Sequence, residues 1–347
     1  MPDKKQVIAV VLTDTHLHAK NIPEQIDIYK QAIKLAKRHK CEVFHGGDIF
    51  DSRKSQPLSV LITFSEILSL FSTADITLHA IPGNHDKTDY DAVESYLDCF
   101  TGRSHFELYR EYGSVDLNDS VVLHLLPFFS ESGSYPERLK RISPALKKCH
   151  LLLTHIAVNG VKNNDGTKVD NGLNRAAFKN FDEILVGHYH DASQIHNVSY
   201  IGSAFQHNYG ESEKNKGFTI IYDDGSTELV QSRFKPFITR TVDIRAGEPD
   251  MAELFITTKD ALKTSHVRIK FYGPESELVK LDVVALMQIG ADVKLISDEV
   301  EMLKEDAGAD SFTSWNMSSL EEELVEFAKG EGVEELLPKA LKYLRDE

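Results

Sequence analysis

The sequence predicts an α/β fold with a layered core, followed by a small α+β domain and a helical C-terminal tail. Over the first two thirds of the chain, short apolar runs alternate with amphipathic helical stretches, which is typical of repeated β-α-β units. After residue 202 the predicted strands are short and separated by turn signals. A second alternation of strand and helix runs from about residue 237 to residue 297. We therefore expect a first domain over residues 1–236, a second over 237–297 and a tail over 298–347.

The core strands are predicted from continuous apolar runs of the kind that is buried on both faces of a sheet. The helices between them are predicted over residues 23–39, where Ile26, Tyr29 and Ile33 recur at helical spacing, and over about 57–71. The predicted core strands cover residues 7–12, 41–45, 76–81, 121–126, 151–153 and 183–186. In the second domain we expect strands near 237 and over 266–271 and 292–296, with helices over 251–262 and 275–289.

Composition narrows the function classes. The 347 residues carry a net charge of −15, whereas a protein that holds DNA by charge alone should be basic. Either the protein binds no nucleic acid, or bound metals, a local basic face or a partner supply the positive potential. No apolar run approaches the roughly 20 residues that span a bilayer. The cysteines, Cys41, Cys99 and Cys149, form neither a disulfide framework nor a zinc motif, which favours a reducing cytoplasm.

Polar residues follow the predicted strands at the point where each strand ends. The carboxyl ends of strands in open α/β sheets meet at one crevice, so we expect these side chains to lie close together. The residues are Asp14 and His16 after the first strand, Asp48 after the second, Asn84 and His85 after the third, and His155, His188 and His190 after two later strands.

These residue types suit divalent metals. Asp, His and Asn offer oxygen and nitrogen but no sulfur, a set that favours Mn²⁺, Fe²⁺ or Zn²⁺. Seven candidate ligands are too many for one ion but suffice for two if a carboxylate bridges them. Two ions about 3.5–4 Å apart can clamp the attacking and leaving oxygens of a phosphoester and generate a hydroxide near neutral pH.

Each motif alone is weak evidence. An Asp-x-His pair such as Asp14 and His16 is usually a surface turn, and Gly-Asp-x-x-Asp is often a helix N-cap. His188 and His190 are more specific, because alternate residues of an extended chain point to one side. It is the occurrence of the whole set in order, each member after a strand, that indicates a metal centre.

Together these motifs resemble those of the calcineurin-like metallophosphoesterase superfamily. That resemblance implies a layered β-sandwich flanked by helices and two divalent ions. It further implies that His85 is the catalytic histidine, which contacts the phosphate and helps to protonate the leaving group. By the same resemblance, one metal is expected to bind Asp14, His16, Asp48 and His190, and the second to bind Asp48, Asn84, His155 and His188.

Within the superfamily the chain is most similar to the SbcD-type exonuclease subunits and their phage relatives. Protein phosphatases typically carry Arg where this chain has Ser52 and Pro82, and Glu where it has Asp86. The segment Tyr200 to Ser203 also resembles these nucleases, although Ala204 replaces a usual proline. The resemblance implies an Mn²⁺-dependent DNA exonuclease and endonuclease subunit that acts in double-strand-break repair and recombination.

The same resemblance implies partners. Residues 237–297 would form a DNA-capping domain, and helices near residues 57–71 and 89–100 would form a homodimer. The C-terminal helices would bind a coiled-coil ABC ATPase of the SbcC type, since an apolar helix pair can dock into a groove of a partner. The apolar positions of the tail are Leu320, Leu324, Phe327, Leu336, Leu337, Ala340, Leu341 and Leu344. Candidate contacts to DNA phosphates are Arg53, Lys54, Lys162 and Lys168.

Three alternatives stay open at this point. A small-molecule or cyclic-nucleotide phosphodiesterase would use the same metals and would explain the net charge of −15 without a partner. A scaffold subunit would bind an ATPase and DNA ends as its main role. The tail helices would, in a third case, pack on their own domain.

Overall fold

The computed structural model describes residues 5–144, 148–161, 167–211, 216–247 and 249–298. Of the predicted tail it describes Asp298 alone, and Lys162 also lies outside the described residues. The described chain divides into two compact units. The first comprises the residues up to Ile238 together with Thr264–His266, and the second comprises the remaining described residues.

The first unit is built on two six-stranded sheets. Its strands are β1 (Val7–Leu12), β2 (Glu42–His45), β3 (Leu78–Ala80), β4 (Phe106–Leu108), β5 (Gly113–Asp116), β6 (Val121–Leu126), β7 (Cys149–His155), β8 (Glu183–Gly187), β9 (Ser193–Ile195), β10 (Val198–Tyr200), β11 (Gly217–Tyr222) and β12 (Thr227–Gln231). One sheet has the order β12-β11-β1-β2-β3-β4, and the other has the order β5-β6-β7-β8-β10-β9. β1 to β4 run parallel, as do β6, β7, β8 and β10, so several strand ends meet at one edge.

The two sheets pack face to face because their central strands alternate between two apolar surroundings. On β1, Ala9 and Val11 lie in a core shared with Leu123 and Leu153 of the second sheet. The intervening residues of β1 face the helices that cover the outer side of the first sheet. This period of two is what a strand that is buried on both faces requires. The predicted fold class, a layered α/β sandwich with flanking helices, is confirmed.

The flanking helices are α1 (Ile22–His39), α2 (Leu58–Ala74) and the short α3 (Tyr135–Lys140). α1 begins with Pro23 in its first turn and buries Ile28, Tyr29, Ala32 and Ala36 along one face. It ends where Lys40 adopts a left-handed conformation and its N–H bonds to the Ala36 carbonyl.

A three-stranded sheet is formed by β13 (Phe237–Asp243), β14 (His266–Gly273) and β15 (Asp292–Ser297), and all of it except Phe237, Ile238 and His266 belongs to the second unit. The helices of the second unit are α4 (Met251–Ala261), α5 (Glu275–Leu278) and α6 (Val284–Gln288). The single helix predicted over residues 275–289 is wrong, because two short helices occupy that stretch. The side chain of Asp282 accepts a hydrogen bond from the N–H of Val284 at 3.2 Å. Such a local bond competes with the helical backbone and starts a new helix.

No helix in the described part of the chain is both long enough and apolar enough to cross a bilayer.

Candidate metal centre

The predicted site residues meet at the carboxyl ends of β1, β2, β3, β7 and β8. β1 pairs with β2 in parallel up to Leu12 and His45, and β7 pairs with β8 up to His155 and Gly187. The two sheets are joined at this edge by the Nδ1–H group of His155, which donates to the carbonyl oxygen of Gly46 at 2.8 Å. All eight candidate residues lie in the loops or last strand positions around this junction.

A first cluster contains Asp14, His16 and His190, whose ligand atoms all lie within 4.8 Å of one another. The Nε2 atoms of His16 and His190 are 3.1 Å apart. The His16 Nε2 atom also lies 3.8 Å from the Asp14 carboxylate and 3.7 Å from that of Asp48. Two carboxylates and two imidazole nitrogens thus converge on one point.

A second cluster contains Asp48, His155 and His188, again within 4.8 Å of one another. His155 Nε2 lies 3.2 Å from the Asp48 carboxylate and 3.1 Å from Asn84 Oδ1. His188 Nδ1 lies 2.9 Å from the same amide oxygen. Because the Oδ2 atom of Asp48 lies close to both clusters, it is in the position of a shared ligand.

Hydrogen bonds behind the clusters set the tautomers of two histidines. His155 donates from Nδ1 to Gly46, and His190 donates from Nδ1 to the Glu211 carboxylate at 3.1 Å. The Nε2 lone pairs of both rings therefore point into the clusters. This is the arrangement by which proteins orient histidine for a metal.

The backbone around the clusters is strained. Asp14, His16, Asp48 and His188 all have positive φ angles, of 50°, 45°, 54° and 88°. Left-handed conformations are uncommon for residues other than glycine and collect at functional sites. Here they are held by hydrogen bonds, such as that from the His188 N–H to the Asp14 carboxylate at 3.0 Å. The packing is also tight, because a Cβ atom on Gly83 would collide with Asp48.

Electrostatics favour a positive charge between the carboxylates. Burial would raise the pKa of Asp48, but the neighbouring His155 holds it well below its usual range. Burial would likewise lower the pKa of His155, but Asp48 and Asp14 raise it to about 9. Without a metal, a proton on His155 balances the negative charge of Asp48 and Asp14. A divalent cation bound between these carboxylates would balance that charge instead. The donor set, its geometry and its charge therefore fit divalent metals.

His85 lies beside the first cluster and lines a cleft of about 400 Å³. Its Nδ1 atom donates to the carbonyl oxygen of Asp51 at 2.5 Å, and its Nε2 atom lies 2.9 Å from Nη2 of Arg53. Burial lowers the pKa of His85. His16, Asp51 and His85 form a third group of ligand atoms within 4.8 Å, on the cleft side of the first cluster.

The structure adds residues that the sequence motifs do not predict. His207 donates from Nε2 to the carbonyl oxygen of Asp14 at 2.8 Å, and its ring centroid lies 5.1 Å from that of His16. Glu211 orients His190 as described above. Both lie in the loop between β10 and β11, where no apolar strand directly precedes them.

Asp86, part of a predicted motif, accepts hydrogen bonds from the N–H groups of Gly83, Ile49 and Phe50 and so fixes two site loops together.

Comparisons with known proteins point to nuclease subunits. The chain is 29% identical to exonuclease subunit 1 of Enterobacteria phage T4 over 235 residues, which are 65% of this chain and 66%, just under two thirds, of that protein. It is 22% identical over 303 residues to the SbcD component of nuclease SbcCD from Staphylococcus epidermidis, covering 75% of this chain and 78% of the relative. The same component from Staphylococcus saprophyticus is 22% identical over 232 residues, 56% of this chain and 58% of the relative.

A family model described as calcineurin-like phosphoesterase matches residues 9–192. This span is more than half of the 347 residues, and it contains all eight candidate residues from Asp14 to His190. It also contains the parallel strands that bring them together. The chain therefore belongs to the calcineurin-like phosphoesterase family.

Proposed function

We propose that the protein is a DNA nuclease subunit that hydrolyses phosphodiesters with two divalent cations, Mn²⁺ being the expected metal, in a double-strand-break repair and recombination complex. The observation that carries the proposal is the pair of ligand clusters that open to one cleft lined by His85 and Arg53. The Oδ2 atom of Asp48 lies 3.7 Å from His16 Nε2 in the first cluster and 3.2 Å from His155 Nε2 in the second. The nuclease names of the relatives support the choice of a nucleic-acid substrate.

Each cation has its own ligand set in this proposal. Asp14, His16, Asp48 and His190 would hold one, and Asp48, Asn84, His155 and His188 the other. When bound, the cations would supply Lewis acidity, neutralise charge on the phosphate and lower the pKa of a coordinated water.

His85 and Arg53 act on the substrate from the lining of the same cleft, where His85 lies beside the first cluster. Arg53 offers a planar set of N–H donors that suits phosphate oxygens. Its contact with His85 Nε2 holds the two side chains together at 2.9 Å. Because His85 donates through Nδ1 to the Asp51 carbonyl oxygen, Nε2 is the atom that would carry a proton to the departing oxygen. In this structure Nε2 accepts from Arg53, so Arg53 would have to turn to the phosphate before Nε2 takes up that proton.

The proposal also assigns surfaces for DNA, for an ATPase and for a second copy of the chain. Residues 237–297 would cap bound DNA, and the tail over 298–347 would bind a coiled-coil ABC ATPase of the SbcC type. The subunits would form a homodimer through α2, where Leu58 and Ile62 are 72% and 49% exposed. Residues 89–100 would add to that surface, although they form a short 3-10 helix at Tyr96–Phe100 and not the expected longer helix. Since the three cysteines are all free, a reducing cytoplasm suits the protein.

The experiment that tests the function is degradation of end-labelled linear duplex DNA with Mn²⁺, with Mg²⁺ and with EDTA. We expect Mn²⁺-dependent shortening that falls by about 100-fold or more in His85→Ala, the range for a lost general acid. Mn²⁺ binding by calorimetry should stay unchanged in that variant. His39→Ala, at the far end of α1, is the matched control and should behave as the wild type.

Two results would count against the proposal. Full cleavage by His85→Ala would remove His85 from the mechanism. Hydrolysis of a small chromogenic diester with DNA left intact would move the function to a small-molecule phosphodiesterase, which the net charge of −15 favours.

A further inference from the structure

A second cavity of about 310 Å³ lies next to the metal cleft, within the first unit. The two share His18 and His207, which line both. A volume near 300 Å³ is at the lower end of small-molecule sites. A ligand held in the metal cleft could therefore extend past these two histidines into the neighbouring cavity.

One wall of this cavity is aromatic. The rings of Phe237 and His266 are stacked with centroids 4.4 Å apart and planes 20° apart. Tyr209 packs edge-on against Phe237 at 4.9 Å and holds that ring in place. Both stacked rings line the cavity and are only partly buried, so the wall can take another flat ring. Base–aromatic stacking is a main device by which proteins hold single-stranded nucleic acid.

The charged residues of the cavity suit a phosphate-bearing ligand. Lys20 and Lys235 line it, and neither ammonium group forms an ion pair with any residue that the structure describes. The acidic residue of the lining, Glu24, has its carboxylate 3.8 Å from His266 Nε2. Gln206 also lines the cavity, and its side-chain oxygen already accepts a hydrogen bond from the Phe237 N–H at 2.9 Å.

We propose that this cavity is a nucleobase subsite: it takes the base of a nucleotide that flanks the scissile phosphate and stacks it on the Phe237–His266 pair. The inference rests on the proposed function, since it names how one substrate residue is held beside the same metal cleft. The subsite adds one prediction to that function. The enzyme should hydrolyse a phosphodiester that carries a nucleoside faster than one that carries a methyl group in its place. Lys20 and Lys235 would contact the neighbouring backbone phosphate.

The test compares diesters that share one leaving group. Thymidine 5′-(p-nitrophenyl phosphate) and thymidine 3′-(p-nitrophenyl phosphate) carry a base, and methyl p-nitrophenyl phosphate does not. We expect the wild type to prefer at least one nucleoside ester by about 5- to 100-fold in kcat/KM, the range that stacking of one base provides. Phe237→Leu keeps the apolar volume but removes the aromatic face, so it should abolish the preference and leave hydrolysis of the methyl ester unchanged.

Controls separate this inference from the function on which it rests. Phe255→Ala on α4 removes an aromatic ring elsewhere and should keep the preference. Hydrolysis of all three esters at equal kcat/KM, or a preference that survives in Phe237→Leu and in His266→Ala, would overturn the subsite and leave the phosphodiesterase standing.

If no ester is hydrolysed, binding decides the inference, and the DNA degradation assay decides the proposed function separately. Calorimetry in EDTA would then compare thymidine 5′-monophosphate with deoxyribose 5-phosphate. Tighter binding of the nucleotide, lost in Phe237→Leu, would support the subsite, and equal binding would overturn it.

Discussion

Glu211 is the carboxylate that orients one of the candidate metal ligands from behind. Its Oε1 atom accepts from His190 Nδ1 at 3.1 Å, and its Oε2 atom lies 2.7 Å from Nζ of the buried Lys216. Burial would raise the pKa of Glu211, but the hydrogen bond from His190 and the charge of Lys216 lower it to about 2. It therefore stays ionised and keeps the Nε2 lone pair of His190 directed at the first cluster.

We predict that Glu211→Gln weakens Mn²⁺ binding at one of two sites by about 10- to 100-fold, the usual effect of losing such a supporting carboxylate. DNA cleavage should fall at limiting Mn²⁺ and recover at saturating Mn²⁺, because no substrate contact is lost. Calorimetry with Mn²⁺ measures the first effect. Glu107→Gln, an exposed site on β4, is the control, and equal Mn²⁺ affinity in both variants would contradict the role given to Glu211.

At the level of residues, the strand ends were predictable and their supporting residues were not. Asp14 and Asp48 directly follow buried strands, so the sequence predicts that they lie close together, as they do. His207 and Glu211 follow no such strand, and their importance comes from a loop path that only the folded chain shows. Arg53 could be predicted as a phosphate contact, but its bond to His85 depends on the packing of two loops.

At the level of elements, the strands that are buried on both faces could be predicted from the sequence, and the exposed ones could not. β1 and β6 match their predicted ranges, because both are continuous apolar runs buried between two layers. β5 has half-exposed and exposed residues only, and its sequence Gly-Ser-Val-Asp has no apolar pattern that would predict a strand. The break between α5 and α6 contains a side-chain hydrogen bond of Asp282 to the Val284 N–H, a feature that apolar spacing does not report.

The pairing of β6 with β7 brings two histidines together. His124 Nε2 lies 2.9 Å from His150 Nδ1, and Tyr112 Oη lies 2.9 Å from the other ring nitrogen of His124. Burial and the charge of His150 lower the pKa of His124 to about 4, and Asp116 opposes the shift. His124 is therefore neutral in the folded protein near neutral pH.

We predict that the free energy of unfolding falls as pH drops from about 6.5 to about 4. In that window the unfolded chain takes up a proton at His124 that the folded chain does not, so acid favours unfolding. Allowing for partial solvent screening, we expect a loss of about 2 kcal/mol from this histidine. Urea unfolding at a series of pH values measures it, and His124→Gln should flatten the dependence by that amount. The exposed His196→Gln should not, and identical slopes in wild type and His124→Gln would refute the assignment.

At the level of the whole molecule, charge and assembly are linked. A net charge of −15 opposes DNA binding, so a nuclease of this composition needs its metals and its partners to create a positive surface. The sequence predicts the metals from local motifs. Partner surfaces are harder to predict, because apolar residues at a helix surface look the same in sequence whether they meet the core or another subunit.

α2 carries a surface of this kind. Val60 and Phe64 face the core, whereas Leu58 and Ile62, one turn apart, are 72% and 49% exposed. We predict that the wild-type chain is a dimer and that Leu58→Glu combined with Ile62→Glu yields folded monomers, since four carboxylates would meet across a two-fold interface. Sedimentation equilibrium measures the mass, and Leu229→Glu on β12 is the control for adding charge at an exposed apolar site. A wild type that stays monomeric at every concentration, or a double variant that still dimerises, would exclude this face of α2 as the interface.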